Sequence, residues 1–498
     1  MAQMTDGVTV AVDPAPPAEI ASLNPRDGTV VGRVPIHGPA EVAAAVGRAR
    51  AAQVGWGRLT PRERGVHLRR VRVQLARQAE QLAEVIAAET GKLPFEAVAE
   101  VASAVMLLSH TAARTHRALA PRRVGSYPLF VKRAEVRYEP FGVVGVISPW
   151  NYPAFVPMQA LSGALGAGNT AVLKPSELTP LTGVLLAEIV NAAGVPLVEV
   201  VTGAGPTGAA LCAAGVDKIA FTGSPTTARK ILRAAADTLT PTVMELGGKD
   251  AMIVCPDADP IAAARTAAGA CFANAGQTCV AIERVLVTPE HHRAVRDELV
   301  DRAGRVSIGA ITQPGHLEVI EHRLADAVSK GAVVVAGGHR RPDRGPNYFE
   351  PTVVDGVTLE MDLALYETFG PVLAIMPVAD VDEAIQVANS TDFGLSGCVF
   401  GRDSAVVERV LAEVRTGGLS VNDAATTVAL PALPFGGVRH SGFGRLHGDA
   451  GLHEFSVTKS VATNRLRRTQ PLAALLARPS TPSPALLAKA VRLLWGRK

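Results

Sequence analysis

Aromatic residues make up only 4% of the 498-residue sequence, and five cysteines are spread along it. No CxxC pair occurs among Cys212, Cys255, Cys271, Cys279 and Cys398, which leaves disulfide-framework and zinc-cluster readings weak and no metal site expected. An odd number of thiols in apolar stretches reads instead as reduced cysteine, so the expected compartment is the cytoplasm. Charge of neither sign dominates: 50 Lys and Arg against 46 Asp and Glu leave +4. No basic run interleaved with aromatics marks a nucleic-acid groove, and nucleic acid is not an expected partner. Met1 to Pro17 offers neither a basic start nor an apolar core, so no secretion signal is visible. No internal repeat appears.

What is present is length and alternation. A chain of this size exceeds what one hydrophobic core organises, so two or three units are expected. From Pro39 to Ala120 apolar residues recur at helical spacing, as in Leu75, Ala79, Leu82 and Ile86. Phe130 to Glu139 alternates as a short charged strand, a candidate arm. Short Val/Ile-rich stretches then alternate with Ala/Leu-rich ones: Gly142 to Ser148, Thr170 to Leu173, Val198 to Thr202, Lys218 to Thr222 and Thr242 to Leu246. That pattern predicts βαβ crossovers and a parallel sheet with ligands at the carboxyl ends of its strands. A second series from Ala251 to about Ser441 includes Val333 to Ala336, Val372 to Pro377 and Gly418 to Asn422, which suggests a second α/β domain. Beyond Lys459 come Arg465, Arg467 and Arg468, a Pro/Ser/Thr linker from Pro479 to Pro484, and Leu486 to Lys498. As a helix, that last segment sets Leu487, Val491, Leu494 and Trp495 on one face, with Lys489, Arg492, Arg497 and Lys498 elsewhere. It is too short to span a bilayer, and docking on a subunit is favoured over weak membrane-surface contact.

Five segments carry candidate chemistry, the first of them a loop and the others at strand ends. In CFANAGQTC, Cys279 ends a loop of small and polar residues, where a thiol can meet substrate. Taken alone, a cysteine is more often a buried structural thiol. In MELGGK, Glu245 closes an apolar strand and two glycines let a ligand approach; alone, it is more often an ordinary carboxylate than a base. In SPWNYP, Asn151 is either a turn former or an amide donor of the kind an oxyanion hole requires. Lys174 and Glu177 end the next strand, where a ribose edge rests in dinucleotide folds, or else form a solvated pair. FTGS, from Phe221 to Ser224, suits a pyrophosphate, although no GxGxxG follows the first strand.

FTGS, MELGGK, FANAGQTC, YETFGP (Tyr366 to Pro371), GLSVN (Gly418 to Asn422) and PFGG (Pro434 to Gly437) occur together and in order, and the chain from Asn24 to Thr463 resembles the aldehyde dehydrogenase superfamily, non-acylating branch. The resemblance implies an α/β fold of two Rossmann-like parallel-sheet domains plus a small β-strand oligomerisation arm. It divides the chain into an NAD(P)-binding domain (1–123 and 141–246), a catalytic domain (247–440), the arm (124–140 and 453–464) and a basic C-terminal tail (465–498). It also implies that Cys279 attacks an aldehyde, that the Asn151 side chain and the Cys279 amide stabilise the alkoxide, and that Glu245 activates the water that hydrolyses the thioester. By the same likeness Lys174 and Glu177 contact the adenosine ribose, Ser224 the pyrophosphate and Glu367 the nicotinamide ribose beside Phe369, with Ser148, Trp150 and Gly223 also in the cofactor-binding set. Glu177 would repel a 2′-phosphate, which makes NAD⁺ the expected cofactor, while Lys174 leaves NADP⁺ open. A homodimer or homotetramer is expected through the arm and the strand near Phe455 to Val461.

Departures narrow the substrate. Relatives that oxidise succinic semialdehyde tend to carry arginines where this chain has Gln159 and Ala273, so a substrate carboxylate lacks its bidentate partners. The stretch Asp423 to Leu433 is mostly small and apolar, which points to an uncharged aliphatic or aromatic aldehyde, with succinic semialdehyde as the alternative. Arg439 replaces a common lysine, and Val457 a glutamate, which places more of the hydrolysis on Glu245. A noncatalytic dinucleotide-binding scaffold is the reading from another class, and the joint presence of Cys279, Glu245, Asn151 and Glu367 argues against it.

Overall fold

The computed structural model describes residues 19–127, 132–465 and 483–496. These fall into two compact units: the described residues of 1–120 and 138–457, and those of 121–137 and 458–498.

Two sheets organise the larger unit. The first has six strands in the order Gly442–Phe443, Thr242–Glu245, Lys218–Thr222, Val143–Ile147, Thr170–Lys174 and Val198–Val200, all parallel except the first. The second has seven, Val333–Ala336, Thr352–Asp355, Val372–Pro377, Ile282–Val287, Asp250–Val254, Gly397–Phe400 and Ser420–Val421, with only Val333–Ala336 antiparallel. Helices cover the inner strands, and every residue of Val143–Ile147 and of Thr170–Lys174 is buried, as a parallel sheet needs. In the first sheet the strand order reverses between Val143–Ile147 and Lys218–Thr222, which are neighbours although two strands intervene in sequence. The connections leave such a switch point in opposite directions and open a crevice beyond its carboxyl ends. Ser148–Asn151 and Gly223–Ser224 start there.

The strands named from the alternation agree with the observed ones to within two residues at each end, while Asp250–Val254, Ile282–Val287, Thr352–Asp355, Gly397–Phe400 and Gly442–Phe443 were not singled out in the sequence. Val198–Val200 stops short of the expected Thr202 because Thr202 turns its amide to His37 Nδ1 at 2.9 Å. Ser420–Val421 is shorter than expected because Asn422 adopts φ +53° and spends its side-chain amide on Gly401. The helical spacing holds with one break: Pro61–Arg77 and Ala79–Thr90 are separate helices joined at Gln78, while Leu75, Leu82 and Ile86 are fully buried. Burying each such aliphatic side chain contributes about 1.5–3 kcal/mol.

The smaller unit holds a three-stranded sheet ordered Ser456–Asn464, Lys132–Pro140, Arg122–Val124, and a helix, Pro484–Trp495. Phe130 and Val131 of the expected strand, and the segment 466–482 with most of the linker, lie outside the described residues. On the C-terminal helix Val491 and Trp495 are exposed, and the Trp495 ring meets Tyr127 edge-on at 6.2 Å. Among the described residues no helix is long and apolar enough to cross a membrane.

Candidate active site

The cysteine loop is built by strain that its own polar groups offset. Helix Pro260–Phe272, capped by the Asp259 carboxylate, gives way to a turn in which Asn274, Ala275 and Gly276 are all left-handed, at φ +52°, +55° and +74°. Such a conformation costs a non-glycine residue roughly 1–2 kcal/mol. Asn274 returns that cost in hydrogen bonds: its amide donates to Glu96 Oε1 at 2.7 Å, and its Nδ2 to the carbonyls of Asn151 and Gln277. Gln277, fully buried, donates to the carbonyls of Asn274 and Ala310 and accepts from the Thr312 amide. Gly276 is required on a second count, because a Cβ there would stand 2.0 Å from the Gly370 carbonyl oxygen. The motif's small and amide residues therefore place Cys279 at the wall of a cleft of about 790 Å³.

Every candidate residue from the sequence lines that one cleft: Cys279, Glu245, Asn151, Ser148, Trp150, Lys174, Glu177, Gly223, Ser224, Glu367 and Phe369. Asn151 Nδ2 donates to the Gln277 carbonyl at 3.0 Å, which fixes the amide two residues from the thiol. Burial, reinforced by the carboxylates of Glu367, Asp250 and Glu245, holds the Cys279 thiol well above its ordinary range. Desolvation of this kind disfavours the thiolate relative to the neutral thiol.

Glu245 ends its strand almost fully buried, and neither carboxylate oxygen has a hydrogen-bond partner within the described protein. Burial raises its carboxyl well above the usual range, Arg445 pulls it down, and Glu454 pushes it up. A buried carboxylate without a partner is costly, and a group that binds water in the cleft is what such a carboxylate can be used for. Arg445 escaped the sequence reading. Nothing in SGFGR marks it, and only the antiparallel return that pairs Gly442 with Glu245 carries it there. A Cβ on Gly436 would lie 2.7 Å from Glu245 Oε1 and 3.1 Å from Arg445 Nη1, so the glycine keeps the carboxylate and guanidinium neighbours.

On the other side of the cleft, Lys174 Nζ lies 3.3 Å from Glu177 Oε2, with the lysine buried and the glutamate half exposed. Ser224 caps helix Pro225–Thr238, accepting from the Thr227 amide. A capped helix N-terminus with glycine before it favours an anionic group. Glu367 Oε1 accepts from the Gly248 amide at 3.1 Å, and any side chain on Gly247 would collide with that carboxylate. Burial first, then Glu283, pushes the Glu367 carboxyl up to about 8. Phe369, at φ +52°, meets Trp150 edge-on at 5.4 Å, and His316 completes an aromatic trio with both. His316 was not anticipated. It comes from helix Gly315–Ser329, where an isolated histidine gives no signal, and its Nδ1 is buried on the cleft wall without a protein partner.

One side of Cys279 is packed by apolar residues. Cys279 packs with Val280, Leu395 and Phe435, and Ala425 and Val428 close the same cluster. Gln159 is committed to His447, Nε2 to Nε2 at 2.9 Å, and both are buried. His447, another residue the sequence did not single out, meets Phe155 edge-on and lies tilted against Phe435, and burial takes its pKa down to about 4.

Comparison with known proteins bears on this geometry. The profile of the aldehyde dehydrogenase family matches residues 12–461. A Mycolicibacterium smegmatis protein provisionally named succinate-semialdehyde dehydrogenase, NADP(+), is 37% identical over 461 residues, covering 89% of this chain and 88% of that protein. A Methylomonas protein named 4,4′-diapolycopene aldehyde oxidase is 36% identical, covering 90% and 86%. The crystal structure of an NAD-dependent aldehyde dehydrogenase from Sinorhizobium meliloti superposes with a TM-score of 0.87 at 34% identity, covering 91% of this chain and 93% of the other.

Proposed function

Because this chain belongs to the aldehyde dehydrogenase family and is an NAD(P)-dependent oxidoreductase, we propose that it oxidises an uncharged, apolar aldehyde to the carboxylic acid through Cys279, Asn151 and Glu245. The observation that carries this reading is the convergence on one cleft of a thiol, an amide donor and a buried carboxylate with no protein partner. In this account Cys279 gives its proton to water in the cleft and its sulfur bonds to the carbonyl carbon. The second N–H of Asn151 Nδ2, with the Cys279 amide, holds the resulting alkoxide. When bound, NAD(P)⁺ supplies the acceptor for the hydride that leaves as the thiohemiacetal collapses to a thioester. Glu245 then takes a proton from water, the water oxygen adds to the thioester carbon, and the thiolate departs as the acid forms.

The residues fit a dinucleotide. Lys174 and Glu177 offer partners for ribose hydroxyls, the Ser224-capped helix for pyrophosphate, and Glu367 with the orphaned His316 Nδ1 for a second ribose. We assign the sheet around Val143–Ile147 to cofactor binding and the sheet around Asp250–Val254 to catalysis. The Glu177 carboxylate favours NAD⁺. Glu177→Gln should raise the NADP⁺-to-NAD⁺ ratio of kcat/KM by roughly two- to fivefold, the modest size following from the side chain's exposure. An unchanged ratio would remove Glu177 from the 2′-position.

The apolar cluster around Cys279 and the engagement of Gln159 by His447 support an aliphatic or aromatic substrate. The names of relatives favour two readings, a long apolar aldehyde or succinic semialdehyde. Steady-state kinetics on hexanal, benzaldehyde and succinic semialdehyde should give the highest kcat/KM to an uncharged member. A clear preference for succinic semialdehyde reverses the assignment. Subunit pairing through the three-stranded sheet belongs to the same proposal, as do docking of the C-terminal helix on a subunit, ahead of weak contact with a membrane surface, and, with all five cysteines free, a cytoplasmic location.

A further inference from the structure

Two buried lysine–glutamate pairs stand just outside the reacting groups. Lys92 and Glu100 are fully buried, with Nζ 2.5 Å from Oε2. The same ammonium donates to the Asn151 carbonyl at 2.9 Å and lies 4.1 Å above the Tyr152 ring. The other oxygen of Glu100 accepts from the amides of Ala154 at 2.8 Å and Phe155 at 3.1 Å. One ion pair therefore grips the backbone at Asn151 itself and again at Ala154 and Phe155, where the next helix begins. Tyr152 extends that grip to the cysteine loop through Thr278, its hydroxyl 3.0 Å from Thr278 Oγ1.

The second pair is Lys249 with Glu283, also buried. Glu283 accepts from the amides of Thr368 at 3.0 and 2.9 Å and Phe369 at 3.1 Å, and Lys249 reaches Thr368 Oγ1 at 3.5 Å. This pair grips the left-handed turn that follows Glu367. Burying two ions costs several kcal/mol each, and apolar side chains of similar volume often serve stability as well or better. Stability alone gives no reason for either pair. What both pairs share is a carboxylate that spends its remaining hydrogen bonds on the backbone of a site loop.

We propose that these pairs are two separate positioning devices: Lys92–Glu100 sets where the Asn151 amide stands beside Cys279, and Lys249–Glu283 sets Glu367 and Phe369 on the cofactor wall. The proposal rests on the site reading given above. It requires the reaction step and cofactor binding to be loosened independently of each other.

The test uses the full chain with Lys92→Met/Glu100→Gln and Lys249→Met/Glu283→Gln, in which glutamine keeps an acceptor for the loop amides while the charges go. For each, kcat at saturating substrates and the Kd of NAD⁺, from quenching of protein fluorescence without aldehyde, are measured. The first variant should lose tenfold or more in kcat, a fraction of the 10²–10³ that removal of an oxyanion donor costs, with Kd within twofold. The second should raise Kd tenfold or more and change kcat less than threefold. Parallel losses in both quantities for both variants, or no change in either, overturn the proposal. If the neutral pairs do not fold, Lys92→Arg and Lys249→Arg, which keep the charge and move the donor atoms, are read on the same two axes with the same crossed outcome required.

Asn151→Ala, alone and combined with the first variant, separates the two levels of argument. Losses that fail to add show that the pair acts through Asn151. Independent addition overturns the proposal and leaves the site reading standing. An unchanged kcat in Asn151→Ala alone overturns both.

Discussion

Cys279→Ala is expected to abolish aldehyde-dependent NADH formation, lowering kcat by roughly four orders of magnitude or more, as removal of a covalent nucleophile does. In the proposed mechanism the Cys279 thiol is the group that bonds to the carbonyl carbon and later leaves, and neither Glu245 nor Asn151 can replace it. Because Cys279 packs on the apolar side, against Val280, Leu395 and Phe435, its truncation removes little volume and leaves the cofactor wall untouched. NAD⁺ binding measured by fluorescence should therefore persist within twofold. Retained turnover with intact cofactor binding would take the nucleophile's role away from Cys279. Cys255, Cys271 and Cys398 are buried and do not line the cleft, and Cys212 lines it from helix Gly205–Ala213, packed with Ile147 and Phe221 rather than beside Asn151, so none is placed to substitute.

Glu245→Gln is expected to divide the reaction in time. Glutamine keeps the shape of the side chain but cannot take a proton from water, so hydrolysis of the thioester should slow by roughly 10²–10⁴-fold. Formation of the thioester needs the same residue less, and rapid mixing should still show a burst approaching one NADH per active site before a slow steady state. The pH dependence follows from the sign of the shift. Burial raises the Glu245 carboxyl above its usual range, so the base form accumulates only as pH rises through that elevated value. Steady-state kcat of the unaltered enzyme should increase with pH and then level, and Glu245→Gln should lose this acidic limb. A variant with neither burst nor turnover would place Glu245 ahead of the thioester. One with full turnover would remove it from the mechanism.

How much of this was legible in the sequence depends on what each signal measures. Period-two and period-3.6 patterns report burial, and a fully buried strand such as Val143–Ile147 is a continuous apolar run whose ends are marked by glycine and a polar residue. The strand ends in turn placed Asn151, Lys174, Gly223 and Glu245 on one rim, because residues following parallel strands share a side of the sheet. Arg445, His316 and His447 were hidden for the converse reason. Arg445 follows a two-residue antiparallel strand, His316 stands at the start of a helix, and His447 in a left-handed turn at φ +61°, and none of these has a periodicity to read. The buried pairs Lys92–Glu100 and Lys249–Glu283 were equally silent. Their partners stand 8 and 34 residues apart, and a lysine in sequence looks the same whether its ammonium faces water or a carbonyl.

The apolar cluster beside Cys279 has one further use. Ala425 and Val428 sit on a short stretch, Asp423 to Leu433, that supplies none of the polar groups assigned to chemistry, and Leu430 and Leu433 on it are exposed. Under the proposed function, exchanges confined to that stretch alter the apolar surface packed beside Cys279 while the polar groups assigned to chemistry stay as they are, so the choice of substrate can drift or be re-engineered without retuning the reaction.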